Sequence, residues 1–168
     1  MTRVLVLSVT RAPTLALQEA LARFDELGAE VHLAFVRNPG TVVTDQPHAA
    51  SKIIKPRRGV GDGPAPARHS LAWFRVVGRN VVISAVLARL PVANRSWYMA
   101  RWDHDVRTWA RDADILVALD RYAVYPVWRL ARTHRRAVAL FGLDAALREV
   151  GRRAEADRRS QDASAVAG

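Results

Sequence analysis

The sequence predicts an α/β fold, in which a mostly parallel, Rossmann-like sheet carries helices on both faces within a single lobe. First, short apolar runs alternate along the chain with segments in which apolar residues recur at helical spacing. Second, these runs are continuously apolar, as in strands that are buried on both faces of a sheet. Third, half of the 168 residues are apolar and a quarter are charged, a composition typical of one globular domain.

A strand–helix–strand unit opens the chain. The run RVLVLS predicts a first strand over 3–8. From Thr14 to Leu27 apolar residues recur at helical spacing, and Gly28 suits the position just past a helix end. The sequence VHLAFV then predicts a second strand over 31–36. Parallel pairing of these two strands would place the intervening helix across one face of the sheet.

The middle of the chain is less regular. Prolines and glycines recur throughout residues 38–68, which predicts an irregular loop with a short strand over 51–55 (SKIIK). Residues 69–90 are rich in valine, leucine and aromatic residues. They predict one or two helices, although the many valines leave a strand open.

The second half predicts helices alternating with strands. A helix over 96–111 carries one apolar stripe, formed by Tyr98, Trp102, Val106 and Trp109. After it we expect a strand over 113–119, a helix from about 123 to 135 with Pro126 in its first turn, a strand over 137–141 and a helix over 143–159. Residues 1–160 should form one domain, and the small, polar tail 161–168 should be frayed.

Charge and composition narrow the classes of function. Basic residues outnumber acidic residues by 26 to 16, for a formal net charge of +10, and all of the basic residues except Lys52 and Lys55 are arginine. This bias is typical of a GC-rich bacterial genome, but the charge still attracts phosphates, nucleic acid or an anionic membrane. The absence of cysteine excludes disulfides, thiolate metal sites and cysteine nucleophiles. The first residues do not match a signal peptide, so we expect a cytoplasmic protein, either free or peripheral to the inner face of the membrane.

Ligands of parallel sheets bind beyond the carboxyl ends of the strands, and this rule selects the candidate site. The turn after the first strand enters a helix N-terminus, which favours an anion. The candidate phosphate- or ligand-binding residues at the strand ends are Ser8, Thr10, Arg11, Thr14, Arg37, Arg121, Tyr122 and Gly142. Alternatively, Thr10 or Thr14 caps the helix and Arg11 lies in solvent.

Asp120 is the candidate catalytic residue because it directly follows the predicted strand ADILVAL. Its carboxylate could act as a general base or accept a hydrogen bond from a sugar hydroxyl. Alternatively, it caps the next helix. Asp103, His104 and Asp105 resemble a metal triad, but adjacent residues of a helix point about 100° apart and cannot converge on one ion. We therefore predict no metal site, and no cofactor motif occurs.

Two surface functions compete with the strand-end site. Trp73 and Phe74 lie beside Arg75 and Arg79, a combination that suits the headgroup layer of an anionic membrane, although packing onto the sheet is the favoured explanation. Basic clusters over 55–58, 132–136 and 148–159 suggest nucleic acid, but no nucleic-acid-binding motif accompanies them. Nucleic acid is therefore the less favoured partner.

The order of segments resembles the N-terminal, acceptor-binding lobe of GT-B-fold glycosyltransferases, the glycosyltransferase-four-like family. The resemblance covers most of residues 1–145. It rests on the opening RVLVLSVTRAPTLALQEALARFDELGAEVHLAFV, a basic and irregular middle, and ARDADILVALDRYAVYPVWRLARTHRRAVALFGL, in which a strand ends on Asp120 and a later strand ends in GL.

The resemblance implies a lobe that holds the acceptor and contacts the donor phosphates. In that family a second lobe carries the nucleotide-sugar pocket and the paired acidic motif, and neither has a counterpart in these residues. The paired glycines of the family's first turn are also replaced, here by residues 11–14. We therefore expect either a partner of a separate donor-binding subunit or a non-catalytic binding module, and no sugar transfer by this chain alone.

Overall fold

The structure is a computed structural model that describes residues 1–10, 14–36, 49–54 and 89–166. In these ranges the chain forms, in order, β1 (Arg3–Ser8), α1 (Thr14–Glu26), β2 (Glu30–Phe35), β3 (Ala49–Ile53), α2 (Val92–Trp102), α3 (His104–Asp112), β4 (Ile115–Ala118), α4 (Val124–Thr133), β5 (Val138–Phe141) and α5 (Leu143–Val166). Most of the predicted loop 38–68 and nearly all of the predicted helical segment 69–90 lie outside the described residues.

The strands form one five-stranded sheet in the order β3-β2-β1-β4-β5. Every neighbouring pair is parallel, and Leu7 of β1 lies opposite Ala34 of β2 on one side and Ala118 of β4 on the other. The chain therefore builds outward from β1 to β3 and then returns to the far side of β1. The predicted Rossmann-like α/β fold is confirmed, and the reversal of strand order lies between β1 and β4.

Helices cover both faces of this sheet, and alternating residues of β1 supply both cores. Val4 and Val6 point into one core together with Leu17 and Phe24 of α1 and with residues of α5. Leu5 and Leu7 point into the other core, which α2, α3 and α4 cover. Because both faces are buried, β1 is continuously apolar, which is the pattern that predicted it.

The predicted helix over 96–111 is wrong, because the chain forms two helices there. Asp103 lies between α2 and α3 with extended backbone (φ −79°, ψ 126°), and its side chain accepts hydrogen bonds from the backbone N–H groups of Asp105 and Val106. This N-cap starts α3 in a new direction. The continuous buried stripe is therefore also wrong: Val106 is fully buried, but Tyr98 and Trp102 are exposed.

Other elements lie within a few residues of their predicted positions. The helix with Pro126 in its first turn spans Val124–Thr133. The strand predicted over 51–55 begins two residues earlier, at Ala49. Helix α5 continues to Val166, through most of the tail that was expected to be frayed. No helix in the described ranges is long and apolar enough to cross a membrane.

Candidate functional site at the β1–β4 edge

The turns after β1 and β4 leave the carboxyl edge of the sheet in opposite directions. The chain leaving β1 enters α1, which packs on one face, and the chain leaving β4 enters α4, which packs on the other. Such a divergence opens a crevice between adjacent strands, and it is the usual ligand site of this class of sheet. Ser8, Thr10 and Asp120, which lie far apart in sequence, meet here as the strand-end rule predicts.

The carboxylate of Asp120 joins the two turns. Its Oδ2 accepts hydrogen bonds from the backbone N–H groups of Val9 at 2.7 Å and Thr10 at 2.9 Å, and from the hydroxyls of Thr10 at 3.0 Å and Ser8 at 3.1 Å. Its Oδ1 accepts from the backbone N–H groups of Tyr122 at 2.9 Å and Ala123 at 3.1 Å. One side chain therefore organises its own turn and clamps it to the turn after β1.

These hydrogen bonds set the charge state of Asp120. Burial alone would raise the pKa of the carboxyl group, since it disfavours the charged form. The hydrogen bonds from Thr10, Val9 and Ala123 stabilise the carboxylate more strongly, and the pKa lies below its ordinary value. Asp120 is therefore ionised at neutral pH, and a carboxylate with a lowered pKa is a weak proton acceptor.

The same carboxylate occupies the position in which an anionic ligand would meet the β1 turn. In phosphate-binding α/β proteins, backbone N–H groups of this turn point at the ligand. Here the N–H groups of Val9 and Thr10 both donate to Asp120. The hydroxyl of Ser8 is also engaged, because its single proton is shared between Asp120 and the carbonyl oxygen of Thr10, and Ser8 is buried.

Three other predicted residues flank this clamp. Arg121 is exposed, with its guanidinium 4.6 Å from the centre of the Tyr122 ring and donating to the Tyr122 hydroxyl. Gly142 follows β5 with φ +82°, a conformation that favours glycine, and its N–H donates to the carbonyl oxygen of Ala118 at 2.9 Å. All three therefore lie at the same edge of the sheet as Asp120.

The remaining candidate residues stay predictions. Arg11, Arg37, Trp73, Phe74, Arg75 and Arg79 lie outside the described residues. Thr14 begins α1, close to the β1 turn in sequence, but its side chain is not among the parts described. The clamp formed by Asp120 therefore rests on Ser8, Val9 and Thr10 from the β1 side.

The structure also brings together polar groups that the sequence pattern did not reveal. Lys52 of β3 pairs with Asp103 at 3.2 Å and with Asp105. The side chain of His104 is exposed, and its Nδ1 lies 3.5 Å from the Asp105 carboxylate. The carboxylates of Asp103 and Asp105 therefore converge on one ammonium group, contrary to the expectation for adjacent residues of a helix, because Asp103 is an extended N-cap and not part of the helix. Within the described ranges no group of three or more histidine and acidic residues could hold a metal ion. No local signal linked Lys52 to a helix start fifty residues away, since only the tertiary fold joins them.

His32 is a second group that the sequence did not single out. Its ring stacks on Trp109 of α3 with centres 4.7 Å apart, and its Nε2 lies 3.2 Å from the carboxylate of Glu30. Burial, the largest effect, lowers the pKa of His32 despite the opposing influence of Glu30. This neutral imidazole lies along β2 rather than beyond the carboxyl end of a strand, so it is not part of the β1–β4 edge.

A shallow depression of about 360 Å³ lies at the opposite, amino edge of the sheet. Asp114 and Arg153 line it, and they form an ion pair at 4.0 Å. Arg153 also pairs with Glu149 at 2.9 Å. Because these charges neutralise one another, the depression offers a charged ligand much less than the carboxyl edge does.

Comparisons with known proteins add no identification. No protein-family model, curated protein or solved structure matches this chain.

Proposed function

We propose that this chain is a glycosyltransferase-like acceptor lobe that works with a separate donor-binding subunit, or that serves as a binding module without catalysis. The observation that carries the proposal is the Asp120 clamp at the point where strand order reverses. It keeps the geometry of a ligand-binding edge while a protein carboxylate takes the hydrogen bonds that a donor phosphate would need.

The carboxyl edge of the sheet is poorly suited to binding the phosphates of a sugar donor. A phosphate placed against the N–H groups of Val9 and Thr10 would have to displace the Asp120 carboxylate or approach it within a few ångströms. Two negative charges at that distance repel each other strongly in a partly buried site. The proposal therefore assigns the nucleotide sugar to another subunit.

The carboxyl edge is better suited to binding the acceptor than to binding the donor. Arg121 forms no ion pair within the described part of the chain, and its guanidinium and the Tyr122 hydroxyl sit side by side beyond β4. Together they can donate hydrogen bonds to a phosphate, carboxylate or sugar hydroxyl of an acceptor. In this proposal Arg121 contacts the acceptor, and Asp120 is a positioning residue that holds the turn from which Arg121 projects.

The test begins with purification of the full chain from its natural host at moderate salt, followed by identification of the retained proteins. A co-purifying subunit with a nucleotide-sugar fold is then combined with the chain, and sugar transfer to acceptor is measured with both, with each alone, and with Arg121→Ala. We expect transfer only from the pair, and about a tenfold loss in Arg121→Ala, as for one charge-assisted contact.

Arg158→Ala is the matched control, because Arg158 is an exposed arginine about 22 Å along α5 from the edge at which that helix begins. It should retain transfer, and both variants should retain the wild-type melting temperature. Transfer by the subunit alone, or equal losses in the two variants, would contradict the acceptor role. If no such subunit is retained, the binding-module form of the proposal requires that acceptor binding, measured by calorimetry, still weakens in Arg121→Ala.

A further inference from the structure

An unusual combination of side chains covers the outer surface of two neighbouring helices. Helices α2 and α4 pack against each other on the same face of the sheet, so their outward sides share one side of the molecule. We define the arginine–aromatic face by six exposed residues of this helix pair: Tyr98, Arg101, Trp102, Val124, Trp128 and Arg132. Trp102 is 59% exposed and Trp128 is 46% exposed, although tryptophan is usually well buried.

The charge of this face is of one sign. Residues 89–102 and 121–143 contain arginines but no aspartate or glutamate. None of these arginines forms an ion pair with a carboxylate elsewhere in the described chain. Of the flanking acids, Asp103 caps α3 and pairs with Lys52, and Asp120 holds the two turns. Asp144 lies in the first turn of α5, which packs on the other face of the sheet.

Aromatic rings and arginine side chains lie against each other here. The Arg132 guanidinium lies 5.0 Å from the centre of the Trp128 ring, and Arg129 lies 5.2 Å from the buried ring of Trp97. Exposed aliphatic side chains accompany them, including Val124. Arginines beside exposed tryptophan, tyrosine and valine match the chemistry of the bilayer interface, where apolar groups enter the headgroup layer and cations meet lipid phosphates.

We propose that the arginine–aromatic face docks this protein onto a membrane surface that contains anionic phospholipids. A second copy of the chain would bring arginine against arginine, so charge disfavours self-association through this face. A single-stranded nucleic acid would leave the exposed aliphatic side chains without a partner, since they contribute nothing to base stacking, and Arg132 already covers one face of Trp128. The proposal does not depend on the acceptor role of the carboxyl edge, which uses other residues.

The test is co-sedimentation of the full chain with vesicles of phosphatidylcholine, with and without phosphatidylglycerol. We expect binding only when phosphatidylglycerol is present, and weaker binding as salt is added. Arg101→Gln with Arg132→Gln should lower the vesicle partition coefficient about fivefold per arginine. Trp102→Ala with Trp128→Ala should lower it at least about tenfold, because aromatic area no longer enters the interface.

Matched controls carry the same changes elsewhere. Leu15→Ala removes a side chain that is 70% exposed on α1, which covers the other face of the sheet. Arg148→Gln with Arg158→Gln removes the same charge from α5. Both controls should bind vesicles nearly as the wild type does, and equal losses in controls and test variants would refute the proposal in favour of a diffuse charge effect.

A second measurement covers the case in which an alanine variant does not fold. Brominated phosphatidylcholine, mixed with phosphatidylglycerol, quenches tryptophans that enter the bilayer. Trp102→Phe with Trp128→Phe keeps the aromatic character and should bind while losing most of the quenching. Unchanged quenching would overturn the proposal. So would binding to a single-stranded oligonucleotide that depends on Arg101 and Arg132, in a protein that does not bind vesicles.

Discussion

Replacing Asp120 with asparagine tests whether one carboxylate holds the two turns at the carboxyl edge together. Asparagine has nearly the same shape, but it presents one acceptor oxygen and one NH₂ group. If its oxygen faces Val9 and Thr10, its NH₂ group faces the N–H groups of Tyr122 and Ala123, which at present donate to Oδ1. Donors then oppose donors, and at least two hydrogen bonds to an ionised acceptor are lost.

The cost follows from those two bonds. A hydrogen bond to a charged group contributes about 1.5–3 kcal/mol, and because Asp120 is only partly buried we take the lower end for each. We expect Asp120→Asn to lower the free energy of unfolding by about 3 kcal/mol at neutral pH, measured by urea denaturation. For a chain of this length the melting temperature should fall by about 6–12 °C.

The pH dependence gives an independent check. The folded state lowers the pKa of Asp120, so its stabilisation is present above the pH at which the unfolded carboxyl titrates, about 3.9. This stabilisation is lost as the pH falls through the lower, folded value. The difference between wild type and Asp120→Asn should therefore shrink in acid.

Asp162→Asn is the control for charge alone, because Asp162 lies exposed on α5 and its side chain makes no hydrogen bond within the described residues. It should change the free energy of unfolding by less than about 0.5 kcal/mol. An Asp120→Asn protein that is as stable as this control at neutral pH would refute the clamp. A difference that persists undiminished in strong acid would refute its electrostatic origin.

Substitutions at three further positions address the core, the break between α2 and α3, and the half-buried imidazole of His32. Phe24→Ala removes a fully buried side chain of α1 and should lower the free energy of unfolding by about 3–5 kcal/mol in urea denaturation. Asp103→Ala removes the N-cap of α3 and should cost about 1 kcal/mol, whereas Asp103→Ser should retain most of that stability, so equal melting temperatures for the two would argue against capping. His32 has a lowered pKa in the folded state, so the unfolded chain binds its proton first and stability should fall as the pH drops below about 6.5. His32→Gln should flatten this decline between about pH 7 and 5. His134, whose pKa burial and Arg111 also lower, should leave a residual slope.

Much of the fold could be predicted because it follows from local pattern. The apolar run 3–8 shows no alternation, which favours a strand buried on both faces of a sheet, and it forms the central strand β1. Pro126 has no N–H to donate, so it must lie in the first turn of a helix, and it does lie in the first turn of α4. The edge at which the candidate residues gather also follows, since all strands are parallel and end at one side.

The break at Asp103 shows where pattern fails. Apolar spacing continues from Tyr98 through Trp109 without interruption, and a period alone predicts one helix. Asp103 falls between the apolar positions of that period, so it does not disturb the helical pattern. Its side chain nevertheless accepts hydrogen bonds from the backbone N–H groups that follow, and these bonds start a new helix. The N-cap formed by Asp103 therefore divides the apolar stripe between two helices, and Trp102 at the end of the first helix is exposed.

The sequence by itself determined the class of fold, the extent of most elements and the list of residues at the strand ends, because these depend on periodicity and on proline and glycine chemistry. The tertiary structure alone decided that β1 lies beside β4 and that Asp120 bonds to groups about 110 residues away. It also decided that α2 and α4 share one exposed, arginine-rich surface. Contacts between distant segments depend on which layers pack together, and no local spacing encodes that choice.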